Sequence, residues 1–69
     1  MIIKWRNVLS GEEGYVAKIS AKERCFHNTF NKADAAVYKT KASAKRILNM
    51  LEEFGQGMAI NNEFSIITA

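Results

Sequence analysis

Cys25 and His27 are the two side chains best suited to chemistry in this 69-residue chain. Two positions apart in a strand, they would project to the same face, where an imidazole can deprotonate a thiol and create a nucleophilic thiolate. The neighbouring sequence offers no third group to orient the histidine and no oxyanion site. We therefore prefer a buried thiol beside a surface or hydrogen-bonded imidazole, and keep a Cys25-dependent enzyme as the last of three hypotheses.

Other catalytic and metal-binding patterns are not found in the sequence. Glu12 and Glu13 share a turn, and Glu52 and Glu53 are adjacent on a helix, so neither pair converges as a general acid and base. GEEG and GQG lack the lysine and the spacing of a phosphate-binding loop. One cysteine and one histidine complete neither a disulfide nor a four-ligand zinc site. We expect a non-enzymatic protein with no catalytic residue, no metal and no cofactor.

The stretch KTKASAKRIL, residues 39–48, crowds cations around a predicted helix start. A helix N-terminus carries partial positive charge and favours acidic neighbours. Lys41 and Lys45 also repel each other at the i,i+4 spacing, and Glu52 and Glu53 fall at the carboxyl end, so the charges at both helix ends oppose the dipole. Repeated violations of a local preference are candidates for functional surface.

Two interpretations of these cations remain open. They form a solvated face whose charges are screened, or an anion-binding patch together with the free N–H groups of the helix start. A second basic stripe lies on the polar faces of the first two predicted strands, beside Trp5, which is either core or an outward stacking platform. The candidate binding residues are Lys4, Arg6, Lys18, Lys39, Lys41, Lys45 and Arg46.

Composition places the chain among small folded domains, with residues 1–69 as one domain. Hydrophobic residues make up 48% and proline is absent, unlike disordered chains. Cores of this size give little net stability, so a homodimer is one available reinforcement. No leader pattern or membrane-length apolar run occurs, and we expect a cytoplasmic protein without a membrane partner. Residues 1–48 hold all ten cations and four carboxylates, whereas residues 49–69 hold three carboxylates and no cation.

Alternating apolar residues predict three strands before the helix. In MIIKWRNVL, the residues Ile3, Trp5 and Leu9 share one face. A glycine-containing turn at 10–14 and the alternating run YVAKIS then predict an antiparallel hairpin. Residues 24–30 fit a third strand or a loop that places aromatics in the core, and we favour the strand. Asn31 and Asp34 indicate one helical turn before the chain extends again.

The predicted main helix covers residues 41–54, with Thr40 as N-cap and Gly55 at the C′ position. Its buried face is expected to consist of Ala44, Ile47, Leu48, Leu51 and Phe54, flanked by Met50. GQG, residues 55–57, is predicted to be a flexible connection. Residues 64–68 are predicted to form the closing strand, preceded by a short pairing segment at 58–60 with Asn61-Asn62 as the turn. The fold class is α+β: an antiparallel sheet of three to four strands with one helix packed on a face, in the order βββαβ.

The pattern YKTKASAKRILNMLEE resembles that of small phage- and prophage-encoded accessory proteins, which join a short antiparallel sheet to one helix. Some proteins of this kind are anti-CRISPR inhibitors. The resemblance implies a binding protein that occludes a surface of a host nucleic-acid-handling protein or ribonucleoprotein complex. A fainter similarity is to three-strand-plus-helix DNA-binding domains, and direct nucleic-acid binding through the strand and helix-start cations is the alternative.

Overall fold

A computed structural model of the chain describes residues 1–54 and 61–68, which form one antiparallel sheet, one α-helix and one short 3₁₀ turn. The elements in chain order are β1 (Ile2–Asn7), β2 (Glu13–Ser20), β3 (Cys25–Thr29), the 3₁₀ turn (Lys32–Asp34), α1 (Lys41–Phe54) and β4 (Asn62–Ile67). The strands lie in the spatial order β3-β2-β1-β4. The predicted α+β fold and its βββαβ order are therefore confirmed.

Strand β1 lies at the centre of the sheet and supplies much of the core. Ile3 and Trp5 are buried and face α1, as their alternation predicts. The prediction for Leu9 is wrong, because this side chain is 78% exposed in the turn after β1. The Asn7 Oδ1 atom accepts hydrogen bonds from the backbone N–H groups of Leu9 and Ser10, which turns the chain before the alternation can continue.

Strand β2 contains an irregularity that changes which residues face the core. Val16 pairs with Asn28 and Lys18 pairs with His27, so Ala17 is an extra residue on β2. Val16 is fully buried, and Ile19, three residues later, packs against the same core cluster. A regular strand would place these two residues on opposite faces, so the bulge restores both to the core.

Gly14 allows the sheet to close around Trp5. A Cβ atom at this position would lie 2.9 Å from the Thr29 carbonyl oxygen and 2.9 Å from the Trp5 Cζ2 atom, which is closer than real Cβ contacts. Gly14 is also the β2 residue paired with Trp5. The missing side chain lets the Trp5 ring lie against the backbone of β2. Trp5 also meets Phe30 edge to face, at 6.0 Å between ring centroids.

Helix α1 has the bounds that its apolar spacing predicts. Ala44 and Leu51 are buried, and Ile47, Leu48 and Phe54 pack against the core cluster of Ile3, Trp5, Val16 and Leu51. Met50 is half-buried beside them. The predicted end at Gly55, the connection at 55–57 and the pairing segment at 58–60 lie outside the described residues.

The remaining predictions concern β3, the 3₁₀ turn and β4. The third strand is present, and the Asn31 side chain caps the following turn by accepting from the Ala33 N–H at 3.0 Å. The closing strand begins two residues before the predicted 64–68 and ends one residue earlier, with Asn61 in the turn and Asn62 already paired with Asn7. No helix in the described parts of the chain has the length and apolar character needed to cross a membrane.

Candidate binding surface

The start of α1 is held against the sheet by backbone and side-chain hydrogen bonds. Tyr38 pairs with Met1 through two bonds: its N–H donates to the Met1 carbonyl at 2.7 Å, and its carbonyl accepts from the terminal ammonium at 2.9 Å. Thr40 then caps the helix, because its Oγ1 accepts from the Ser43 N–H at 3.1 Å. The predicted N-cap is confirmed. Burial also raises the pKa of the Tyr38 hydroxyl, which stays neutral at physiological pH.

The helix-start cations, defined here as Lys39, Lys41, Lys45 and Arg46, are all exposed. None of them forms an ion pair with a carboxylate among residues 1–54 and 61–68. At 3.6 residues per turn, Lys41 and Lys45 lie about 40° apart around the helix axis, whereas Arg46 lies about 100° beyond Lys45. Lys41 and Lys45 are therefore neighbours on one side of the helix, whereas Arg46 projects about 140° away from Lys41.

The carboxyl end of α1 differs from what the sequence alone indicates. Glu52 and Glu53 are exposed there, as predicted, but the Arg24 guanidinium donates a 3.0 Å hydrogen bond to the Glu53 carbonyl oxygen. The same guanidinium lies 5.8 Å from the centroid of the Phe54 ring. A cation therefore compensates the negative end of the helix dipole, which corrects the expectation that both ends are left opposed.

Arg24 itself occupies a left-handed backbone conformation, with a φ of 54° in the turn between β2 and β3. This region disfavours residues with a Cβ atom by about 1–2 kcal/mol. Contacts of the side chain with Glu53 and Phe54 offset that strain. Sequence reasoning missed this residue because the contact joins positions 29 apart in the chain.

The cations of the strands do not form a continuous basic stripe. Lys4 and Arg6 lie on the sheet face opposite Trp5, where Lys4 forms a 3.2 Å salt bridge with Glu13. Arg6 is paired in register with Glu13 on one side and Glu63 on the other. The structure therefore brings carboxylates between these cations, an arrangement that depends on strand register.

Lys18 lies apart from Lys4 and Arg6, opposite His27 on the edge strand β3. Trp5 is 7% exposed and faces the core, which decides between the two interpretations of this residue. It belongs to the core and does not offer a stacking surface beside the strand cations.

Cys25 and His27 share the outer face of β3, as their spacing predicts. Cys25 is half-buried opposite Ser20, and His27 is exposed opposite Lys18. No cluster of three or more histidine, cysteine or acidic side chains suited to a metal occurs in the described part of the chain. Among the described residues, the structure adds no third catalytic group to Cys25 and His27.

Comparisons with protein-family models, with curated proteins and with solved structures found no match to this chain. Function must therefore be inferred from the surface itself.

Proposed function

We propose that the protein is a non-enzymatic binding protein whose helix-start cations dock onto an acidic surface of a protein partner. The observation that supports this proposal is the exposure of four cations that have no carboxylate partner within the described residues. Two of them, Lys41 and Lys45, occupy the first two turns of α1, where the helix dipole disfavours positive charge. Carboxylates supplied by a partner would remove that unfavourable interaction.

The distribution of charge favours an acidic protein surface over a nucleic acid. A phosphate backbone carries closely spaced negative charges and is best met by cations that continue along the molecule. Here Glu13 and Glu63 interrupt the cations of β1 and would repel a strand lying across that face. Lys41 and Lys45 instead occupy neighbouring positions on one side of α1, which suits a contact with one or two carboxylates.

The biological role that follows is steric occlusion. Consistent with the resemblance of residues 38–53 to phage accessory proteins, the partner would be a host complex that handles nucleic acids, and the protein would act as its inhibitor. Occlusion needs only a stable contact, so it demands neither a catalytic group nor a cofactor.

Two double charge reversals with the same change in net charge test the proposal. Lys41→Glu with Lys45→Glu reverses two helix-start cations, whereas Lys22→Glu with Lys32→Glu reverses two exposed cations outside the candidate binding residues. The parent protein and each variant are immobilised and exposed to host lysate with and without nuclease treatment. The affinity for the captured partner is then measured with the purified components. We expect at least a tenfold loss of affinity for the first variant and less than a twofold change for the second.

Equal losses in the two variants would show that net charge alone drives binding and would overturn the proposal. Binding that disappears after nuclease treatment would favour the nucleic-acid alternative. In that case, neutralisation of about 3–5 phosphates predicts that log affinity falls with log salt at a slope of roughly −3 to −4.5.

A further inference from the structure

The sheet ends on one side at β3 (Cys25–Thr29). Within residues 1–54 and 61–68, this strand is hydrogen-bonded along its length only to β2. The chain that follows β3 turns back towards β2, because the 3₁₀ turn packs on β2 and the Ala36 N–H donates to the Val16 carbonyl. In the part of the chain that the structure describes, the outer side of β3 therefore presents backbone N–H and C=O groups for pairing.

This edge lacks the features that keep edge strands from pairing with other chains. Lysine, proline and bulges are the usual devices. The sequence of β3, CFHNT, contains no lysine, carboxylate or proline, and the bulge at Ala17 lies on β2, on the inner side of β3. The opposite edge strand, β4, differs because it carries the exposed Glu63. β3 is therefore the edge strand better suited to pairing.

A large apolar side chain flanks the same edge. Phe30 directly follows β3 and is 66% exposed, although its ring meets Trp5 edge to face. By strand alternation it lies on the helix-bearing face with Phe26 and Asn28. Phe26 is half-buried at the margin of the core. An occupant of this edge would have to supply both a strand and an apolar contact for Phe30.

We propose that this occupant is β3 of a second copy of the chain, paired antiparallel about His27. A five-residue strand overlaps completely with its own copy when the middle residue lies opposite itself. Phe26 then lies opposite Asn28 of the second copy. Phe30 becomes a diagonal neighbour of Phe26 of the second copy on the same face, within reach of an aromatic contact. The two copies are related by a two-fold axis perpendicular to the sheet, which closes the assembly at a dimer.

The charges near the interface permit this pairing. β3 has no lysine, arginine or carboxylate that would meet its own copy. Lys18 lies opposite His27 on β2, and two β3 strands would separate it from Lys18 of the second copy. That distance is about 14 Å at the usual strand spacing, beyond the Debye length of about 8 Å at physiological ionic strength. Arg24, next to β3, is turned towards the Glu53 carbonyl at the end of α1.

The size of the contact predicts a reversible dimer. A five-residue strand is about 17 Å long, so the interface lies at the low end of specific contacts. Four strands from each copy form one continuous sheet, and the two-fold axis keeps both α1 helices on the same face. The dimer thus carries two sets of helix-start cations, and its formation does not depend on the proposed acidic partner.

Sedimentation velocity of the intact chain, from about 1 μM to about 1 mM, tests the association. We expect the parent protein to change from monomer to dimer within this range. His27→Lys and His27→Glu each place like charges opposite one another at the two-fold axis, and each should weaken dimerisation at least about tenfold. An equimolar mixture of these two variants pairs a cation with a carboxylate and should restore the dimer. A parent that stays monomeric, or a mixture no more associated than its components, would overturn the proposal.

Ser65→Glu is the matched control on the other edge strand. Ser65 is exposed on β4 and shares the sheet face of His27. This substitution should change the dimerisation constant by less than about twofold, since residues away from an interface contribute little. Circular dichroism checks that each variant is folded. Dimerisation that is lost in Ser65→Glu but kept in His27→Glu would place the contact at β4 and contradict the assignment.

The apolar part of the interface is tested at Phe30. Phe30→Ala should weaken dimerisation about tenfold, because the contact with Phe26 of the second copy is lost. Leu9→Ala removes an apolar side chain that is 78% exposed in the turn after β1, and should have less than about a twofold effect. Urea denaturation at a concentration where the protein is monomeric separates any loss of the Trp5 contact. Equal effects of the two substitutions would contradict the register about His27.

Discussion

The two ends of α1 carry charges of the wrong sign for the helix dipole, yet the chain treats them differently. At the carboxyl end, Arg24 hydrogen-bonds the Glu53 carbonyl and lies near the Phe54 ring. At the start, Thr40 caps the backbone, but Lys41 and Lys45 have no carboxylate near them in the described residues. One end is compensated within the fold, which makes the other a better candidate for contact with a partner.

Among the substitutions that test this difference between the two helix ends, removal of the Arg24 side chain should change the stability most. Arg24→Ala deletes a charge-assisted hydrogen bond and a cation–π contact while keeping the strained backbone, and we expect a loss of about 1–2 kcal/mol in the free energy of unfolding. Urea denaturation followed by circular dichroism would measure it. Lys22→Ala, in the same turn, is the matched control and should change stability by less than about 0.5 kcal/mol.

A second substitution at the same position separates the side-chain contacts from the backbone strain. Arg24→Gly loses the same contacts but relieves the left-handed conformation. It should therefore be less destabilising than Arg24→Ala. If both variants were as stable as the parent, the guanidinium would not compensate the helix end, and the contrast between the two ends would fail.

The comparison also shows which features a sequence can predict. Helix α1 could be predicted because the residues that define it, such as Thr40, Ala44 and Leu51, act through local spacing and capping. The Arg24 contact could not, because it depends on how the turn between β2 and β3 meets the end of the helix. Local sequence patterns predict individual helices and strands. A contact in which one element compensates the charge at the end of another depends on the tertiary arrangement.

The sheet shows the same difference between local features, which the sequence predicts, and tertiary features, which it does not. Alternation predicts the core position of Trp5 but fails at Leu9, where the Asn7 side chain starts a turn. It gives no sign of the bulge at Ala17, beside which the Ala36 N–H donates to the Val16 carbonyl at 3.0 Å. Among the candidate site residues, the exposure of the helix-start cations follows from helical spacing, whereas the salt bridge of Lys4 depends on strand register.

Loss of the cap at the helix start should have an intermediate effect. Thr40→Ala removes the acceptor for the Ser43 N–H and should lower the free energy of unfolding by about 1 kcal/mol. Thr40→Ser keeps the hydroxyl oxygen and should retain most of the stability in the same urea denaturation. An Ala variant as stable as the Ser variant would mean that packing alone holds the helix start.

Reversal of one helix-start charge should have the smallest effect and the opposite sign. Lys41→Glu places a carboxylate in the first turn of α1, and we expect a gain of about 0.5 kcal/mol at low salt. Thermal unfolding at low salt and at 1 M salt would measure the gain and its screening. Lys22→Glu, with the same charge change in an exposed turn, should show no comparable gain. A loss of stability on Lys41→Glu would mean that this cation serves the fold, and the helix start would no longer be a surface kept for a partner.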